Sequence, residues 1–442
     1  MDVFLDGSRR LRFGAVVGLA SAAALLMSLL FAGTAAASHV VCGQTITEDT
    51  TLDSDLNCSG AGLIIGADNV TLDLNGHTVS GDPQARALSH EEAAGILFAP
   101  RVSGSTVRNG TVENFDAGVV VRGGSGNAIR DLTVRDNINY RVVTGVDADP
   151  APGNSCDYGD GIALFNADNN VIENNQVIHN GPLSGISLVE DSDSNLISRN
   201  VVADNDVVNR TPDGRNTVCG TGSEGEQGPM RRGRTVQDIG IRIEGPGADD
   251  NRVERNEVTG NGLAGIAIHG YVCTPPEGFP GGPADNNGGN LIFKNNVSGT
   301  GQDTSDMDAV ADGIAILQQG PAEVVCVAHS NTIKNNVSSD NERHGIFMGG
   351  RGSHDNNVIN NRVNDNAGDG LHVTGPFTRE STGRTFPGAI NNNLLANKGS
   401  GNDGFDGFDG NPDCDNNQWR GSKFVTVNQE CVRGPGTGQG RR

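Results

Sequence analysis

Aromatic residues are scarce in this sequence: one Trp, three Tyr and 14 Phe, or 4% of 442 residues. With hydrophobic residues at only 35%, the chain is too lean for a large ball-shaped core. A thin, elongated core of Val, Ile and Leu fits better. Cations are short as well, and 32 Lys and Arg against 54 Asp and Glu leave a formal charge of −22. Such a surface repels nucleic acid and anionic membranes, and no stretch reads as a basic groove. The acid either keeps a soluble protein dispersed or binds Ca²⁺ or cationic groups. After the N-terminal segment there is no apolar run of membrane length, so no stable span is expected in the mature chain. Helix-period stripes are missing, and Asn is too frequent for helices. No C-x₂-C spacing exists, so no zinc or other metal site is expected at the cysteines, and five Met argue against copper.

What is present starts with a targeting segment. Arg9, Arg10 and Arg12 precede an apolar run over 15–32, and Ala35-Ala36-Ala37 offers a small-residue cleavage site before Ser38. Residues 1–37 therefore read as a signal peptide, with Ser8-Arg9-Arg10 a hint of twin-arginine export. The mature protein is expected to be secreted, extracellular or in the cell envelope, and monomeric. In an exported chain the eight Cys are expected as disulfides. Their placement suggests Cys42–Cys58, Cys156–Cys219, Cys273–Cys326 and Cys414–Cys431.

The text of residues 160–205 then sets the architecture. DGIALFNADNNVIENNQVIHNG (160–181) is followed by SGISLVEDSDSNLISRNVVADN (184–205). Each line has a Gly-Ile pair, a short apolar alternation, a polar turn, a second alternation and an Asn-ended corner. A fixed period of this length marks a repeat architecture. Gly plus aliphatic recurs at Gly95, Gly118, Gly161, Gly185, Gly240, Gly265, Gly313, Gly345, Gly370 and Gly404. A second pattern runs in step: Asn170–Ile172–Asn175–Val177, Asn195–Ile197–Asn200–Val202, Asn251–Val253–Asn256–Val258, Asn290–Ile292–Asn295–Val297 and Asn356–Val358–Asn361–Val363. The segment from Ser330 keeps Asn335 and Val337 but has Thr332 in the middle.

Alternating aliphatics make strands with one buried face. Asn tolerates the left-handed backbone of a sharp corner, and stacked Asn side chains can bond the copies above and below. The fold expected is all-β: a single-stranded right-handed parallel β-helix of about ten to eleven coils with loop insertions. At about 4.8 Å per coil, the stack is about 50 Å long. The domain is expected to span 38–432 with disulfide-closed ends, leaving 433–442 as a disordered tail. A two-sheet sandwich would need hairpin turns and would leave the coil-to-coil repeat unexplained.

Over about 42–431 the chain resembles the secreted right-handed parallel β-helix repeat proteins of the pectate-lyase-like superfamily, including the periplasmic NosD-type branch. The segment GFDGFDGNPDCDNNQWRGSKFVTVNQECV (404–432) resembles the disulfide-closed terminal coil of such proteins. That resemblance implies a fold shared by polysaccharide lyases, glycoside hydrolases, uronate epimerases and non-catalytic binding proteins. The Asn-Thr-Asp, Gly-His-Gly and Arg-Ile-Lys set of polygalacturonases and the Asp-Pro-His-Glu pattern of alginate epimerases are missing. The expected function is binding of an extracellular polysaccharide along the outer Gly-Ile sheet, whether or not cleavage or epimerisation follows. The alternative is a non-catalytic surface or envelope protein, including a NosD-like accessory role.

If Ile266 and Ile268 point inward, Ala267 and His269 point outward. The same phase gives outer pairs Ala163 and Phe165, Ser187 and Val189, Arg242 and Glu244, Ala315 and Leu317, and His372 and Thr374. Arg242, Glu244 and His269 become the candidate catalytic residues: Arg to neutralise a uronate carboxylate, Glu or His to move a proton at the sugar ring. His372, Asp238 and Asp312 are the candidate substrate contacts. Segments 139–158, 206–237 and 300–312 enter this sheet and 271–289, 318–328 and 376–389 leave it, as inserts framing a binding face do. No cofactor is required. Ca²⁺ could occupy Asp303, Asp306, Asp308 and Asp312, or Asp403, Asp406, Asp409, Asp413 and Asp415. Neither group matches an EF-hand loop or the glycine-rich nonapeptide pattern, and solvated turns are the preferred reading of both.

Overall fold

In the computed structural model the described residues are 39–82, 94–138, 159–181, 183–206, 239–245, 247–270, 287–301, 311–318, 328–350, 353–379 and 383–433. They form a right-handed parallel β-helix. Each coil contributes one strand to a 12-stranded parallel sheet running from Thr45–Ile46 to Gly407–Asp409. Two further parallel stacks carry the shorter strands, and both run through the long strands Thr106–Glu113 and Ala128–Arg135. One coil shows the plan: Ser184–Val189, then Leu196–Ser198, then Val201–Ala203. Among the described residues no helix is long and apolar enough to cross a membrane.

Inward positions stack into continuous columns. Ile162, Ile186, Ile241, Ile266, Ile314, Ile346 and Leu371 pair rung on rung, as do Leu164, Leu188, Ile243, Ile268, Ile316, Met348 and Val373. Ile172, Ile197, Val253, Ile292 and Ile333 form a third column on the opposite wall. All are buried to within 1%. A fully buried aliphatic side chain contributes roughly 1.5–3 kcal/mol, against roughly 0.5–1.5 kcal/mol net for one hydrogen bond. The aliphatic columns therefore drive collapse, while the polar contacts fix register.

Those polar contacts are three ladders of buried Asn, one more than the two-Asn pattern predicts. The first runs Asn127, Asn170, Asn195, Asn251, Asn290, Asn331, Asn356, Asn392, Asn417. The second runs Asn175, Asn200, Asn256, Asn295, Asn336, Asn361, Asn397. The third comprises Asn137, Asn180, Asn205 and Asn261, then Asn341, Asn366 and Asn402 after Thr300. Asn200 shows the wiring. Its Nδ2 donates to Asn256 Oδ1 (3.0 Å) and Ile172 O (3.0 Å), and its N–H donates to Asn256 Oδ1 (2.9 Å). Its own Oδ1 accepts from the N–H and Nδ2 of Asn175.

The ladder Asn are not the left-handed residues of the corner. Positive φ falls one position earlier, at Asn169, Asn174, Ser194, Arg199, Asp250, Arg255, Lys294, Asn335, Asn360 and Ala396. Corner geometry and ladder bonding are thus divided between neighbours, and only the bonding requires Asn. The same division moves the coil from Ser330 by one residue. Asn331, Ile333 and Asn336 hold the ladder and core places, Ser338 faces inward, and Asn335 is the left-handed residue.

The glycine column has a steric cause. A Cβ on Gly161 would lie 2.6 Å from Gly185 O and 2.8 Å from Asn180 Nδ2. The column continues to Gly62 at the N-terminal end, giving one or two more coils than the expected count. Gly404 does not belong to it. Gly407 pairs with Leu371, so Asp406 takes the place of the last glycine. The ends are closed by Cys42–Cys58 and Cys414–Cys431. Cys156, Cys219, Cys273 and Cys326 lie outside the described residues. Arg433 ends a short helix, Glu430–Arg433, and 434–442 lie outside the described residues.

Asn200→Ala strands buried donors and acceptors on two neighbouring coils, at about 1–3 kcal/mol for each group. Urea unfolding should show a loss of at least about 2 kcal/mol, against under about 1 kcal/mol for Val201→Ala at an exposed site. Equal losses would mean that the ladder does not hold the wall.

Candidate functional site

Register places one outward residue per coil in a single column: Leu97, Val120, Ala163, Ser187, Arg242, Ala267, Ala315, Phe347, His372 and Phe408. Rungs from Leu97 to Ala315 are buried, none above 5% exposed. At Phe347, His372 and Phe408 the face becomes partly accessible. Before Leu97 the column runs through exposed Thr45 and partly accessible Ile64, so it is reachable at both ends, and the C-terminal end is the one that carries titratable side chains.

There the column becomes a stack of rings. Phe347 and His372 lie 5.4 Å apart and His372 and Phe408 4.5 Å, centroid to centroid. His344 stacks on His372 at 4.3 Å, and Phe405, on the exposed side, tilts toward Phe408. Because the stacked faces are spent on one another, the wall turns ring edges outward. The position before each column glycine supplies the polar partners: Asp312 before Gly313, His344 before Gly345 and Asp369 before Gly370. His344 and Asp369 sit on adjacent coils, and Asp369 lies three residues before His372, so all three meet.

The hydrogen bonds assign protons. His372 Nδ1 lies 2.7 Å from Asp369 Oδ2 and donates to it, which leaves Nε2 for a ligand. Asp369 N–H donates to His344 Nδ1 (2.9 Å), so that nitrogen carries no proton. Asp369 Oδ1 accepts from Phe405 N–H (2.6 Å). Burial raises the Asp369 carboxyl, but the bonds from His372 and Phe405 outweigh it and hold the group below its ordinary value. Burial, with the charges of His372 and Arg343, lowers the His344 imidazole to about 3, so it stays neutral. The arrangement can accept and pass a proton through an oriented imidazole, and it can offer several donor atoms to one ligand.

Asp312 is not available to a substrate. It is fully buried and paired twice with Arg343, Nε to Oδ1 at 2.8 Å and the terminal nitrogen to Oδ2 at 2.6 Å. Burial raises its carboxyl, an effect that Arg343 partly offsets. The Arg343 guanidinium also lies 4.4 Å over the Phe347 ring.

Of the other expected residues, Arg242 and Glu244 come together at 2.6 Å, with Asp160 3.9 Å from Arg242. Both side chains are buried, at 6% and 10% exposure, rather than lining an open floor. His269 pairs in register with Glu244 and Leu317, and its side chain lies outside the described part. Asp238 lies outside the described residues. His372 stands three rungs from Ala267, about 14 Å along the sheet. Asp303, Asp306 and Asp308 lie outside the described residues. In the terminal group Asp406 accepts from the N–H groups of Val425 and Thr426, and Asp409 accepts from Trp419 Nε1 and Asn417 Nδ2. Burial raises the Asp409 carboxyl despite these bonds. Asp403, Asp413 and Asp415 are exposed. The inserts lie largely outside the described residues, except a hairpin pairing Phe377–Arg379 with Arg384–Phe386.

Tracking only the outward positions after each glycine misses His344 and Asp369, which precede it. Phe347 stands at that outward place after Gly345, and Phe408 is hidden because Asp406 replaces the column glycine. Aligning HGIF (344–347) with DGLH (369–372) exposes the signal, since the pre-glycine position also faces this site.

A family model described as "Right handed beta helix region" matches residues 56–277 and 231–386. No curated protein matches the chain. Among solved structures the chain is similar to the Dettilon tailspike protein, at 13% identity and a TM-score of 0.52, covering 84% of this chain and 62% of that one. It is also similar to the A-module of a mannuronan C-5 epimerase from Azotobacter vinelandii (12% identity, TM-score 0.46, covering 89% and 88%). A third structure is the pectate lyase Pel9A (12%, 0.44, covering 76% and 70%). The tailspike likeness, at this identity, is one of fold, and the chain spans less than two thirds of that protein's length.

The depressed His344 pKa gives a signed pH prediction. As pH falls from the ordinary imidazole value of 6.5 toward 3, the unfolded chain takes up a proton that the folded chain refuses. Stability is full above that window and declines through it. Urea unfolding of wild type should weaken more than that of His344→Phe over this range, and parallel curves would contradict the assignment.

Proposed function

The chain belongs to the right-handed β-helix family, and from that premise we propose that it is an exported protein binding an extracellular polysaccharide along its outer sheet. The observation that carries this reading is the partly accessible ring wall of Phe347, His372 and Phe408, with an imidazole oriented by Asp369 inside it. Ring edges and exposed Phe405 offer apolar contact to sugar C–H groups, while His372 Nε2 offers a polar contact at one point of the polymer. At its accessible end the parallel stack supplies one such position per rung, a spacing that suits an extended chain.

Acting as a base or acid through Nε2, His372 would move a proton at the ring, in a cleavage or epimerisation, while Asp369 holds its orientation. Arg242, Glu244 and His269 form a second position on the same sheet. The buried Arg242–Glu244 pair there serves to position its neighbours, and His269 is the residue assigned to the substrate. Export rests on Arg9, Arg10, Arg12, the apolar run and the alanine exit, together with two disulfides of a kind that persists in oxidising compartments.

A glycan array probed with the full mature chain should retain at least one extended polysaccharide. Phe408→Ala and His372→Ala should each weaken it by about tenfold or more, which is about 1.4 kcal/mol. An ultraviolet assay for unsaturated product then separates a lyase from a binding protein. Retention unchanged in both variants, or no glycan retained at all, contradicts the reading.

A further inference from the structure

We propose that His344, Asp369 and His372 together bind one first-row divalent transition-metal ion of the zinc type. The three side chains present donor atoms that all lie within 4.8 Å of one another. Asp369 Oδ2 lies 2.7 Å from His372 Nδ1 and 3.7 Å from His344 Nδ1. Donors around a tetrahedral ion with bonds of about 2.1 Å stand about 3.4 Å apart, so the observed spacings bracket the required one. Only small side-chain shifts separate this arrangement from a coordination shell.

The surroundings support the donors. Asp369 Oδ1 is fixed by Phe405 N–H, which leaves Oδ2 directed at the two imidazoles. His344 Nδ1 accepts a hydrogen bond and so carries no proton to displace. His372 would move its proton from Nδ1 to Nε2, a change of tautomer that releases nothing. Binding at His344 Nδ1 gives up the Asp369 N–H contact, worth about 1 kcal/mol net, which a metal–imidazole bond exceeds. Two imidazoles and one carboxylate suit zinc, nickel or cobalt rather than Ca²⁺, which takes oxygen ligands. Three protein ligands leave a position for water or a sugar hydroxyl, and side-chain exposures of 11–18% leave the ion exchangeable.

The inference shares His372 with the proposed glycan site but rests on the donor geometry and not on glycan binding. The full mature chain, stripped with chelator and dialysed, should take up one Zn²⁺ per chain by calorimetry. Co²⁺ should give the visible absorption of a nitrogen- and oxygen-ligated tetrahedral ion. His344→Phe, Asp369→Asn and His372→Phe should each weaken uptake at least about tenfold. The phenylalanine variants keep the ring stack, so a loss of metal with thermal stability retained is not a loss of fold. His329→Ala and His354→Ala, which break the other stacked His pair, should leave uptake unchanged. No uptake by the wild type, or uptake sensitive only to His329 and His354, overturns the proposal. Glycan retention measured in chelator is a separate arm, so failure of either reading leaves the other standing.

Discussion

Three times per coil the backbone turns a corner inside a wall that excludes water, and each corner leaves amide groups needing partners. An Asn side chain meets this need because it carries a donor and an acceptor of nearly peptide geometry. In each ladder it binds the coil ahead and the coil behind, so a coil is satisfied only when its neighbours are in register. The aliphatic columns would tolerate a shifted stack, since Ile, Val and Leu exchange with little penalty. The ladders would not. Register is the property on which every functional statement about this molecule depends.

Fixed register turns sequence spacing into spatial contact. His344 and Asp369 are 25 residues apart in the chain and one rung apart in the fold. Phe347, His372 and Phe408 stack because each occupies the second place after the glycine column. The buried rungs between Leu97 and Ala315 give way to a partly accessible face where this aromatic and histidine stack lies. Apart from Arg242, small or aliphatic residues such as Ala163, Ala267 and Ala315 fill the buried part of the column, and a change of residue type marks its end.

The fold was readable in the sequence because both of its causes are periodic. Gly161 to Gly185 and Asn170 to Asn195 repeat at nearly one coil length, and alternation about Ile266 and Ile268 assigns the inner and outer faces. The third ladder was less visible, since Thr300 interrupts it and its Asn follow a variable left-handed residue. Gly404 was misplaced because three glycines and two Phe-Asp pairs crowd the last coil, where Asp406 replaces the column glycine. Arg242 and Glu244 were legible as neighbours, yet their burial was not, since alternation gives direction without solvent access. The His344–Asp369 contact escaped because pre-glycine residues lie outside the alternating pattern.

The central claim is that the outer sheet works at its C-terminal rungs, where His372 stands between Phe347 and Phe408. A crystal soaked with the glycan that the protein retains best tests this directly. The account predicts sugar density against Phe347, His372, Phe405 and Phe408, with a sugar oxygen or hydrogen-bonded water at His372 Nε2. Density confined to another face of the stack, with these four side chains unoccupied, would contradict it.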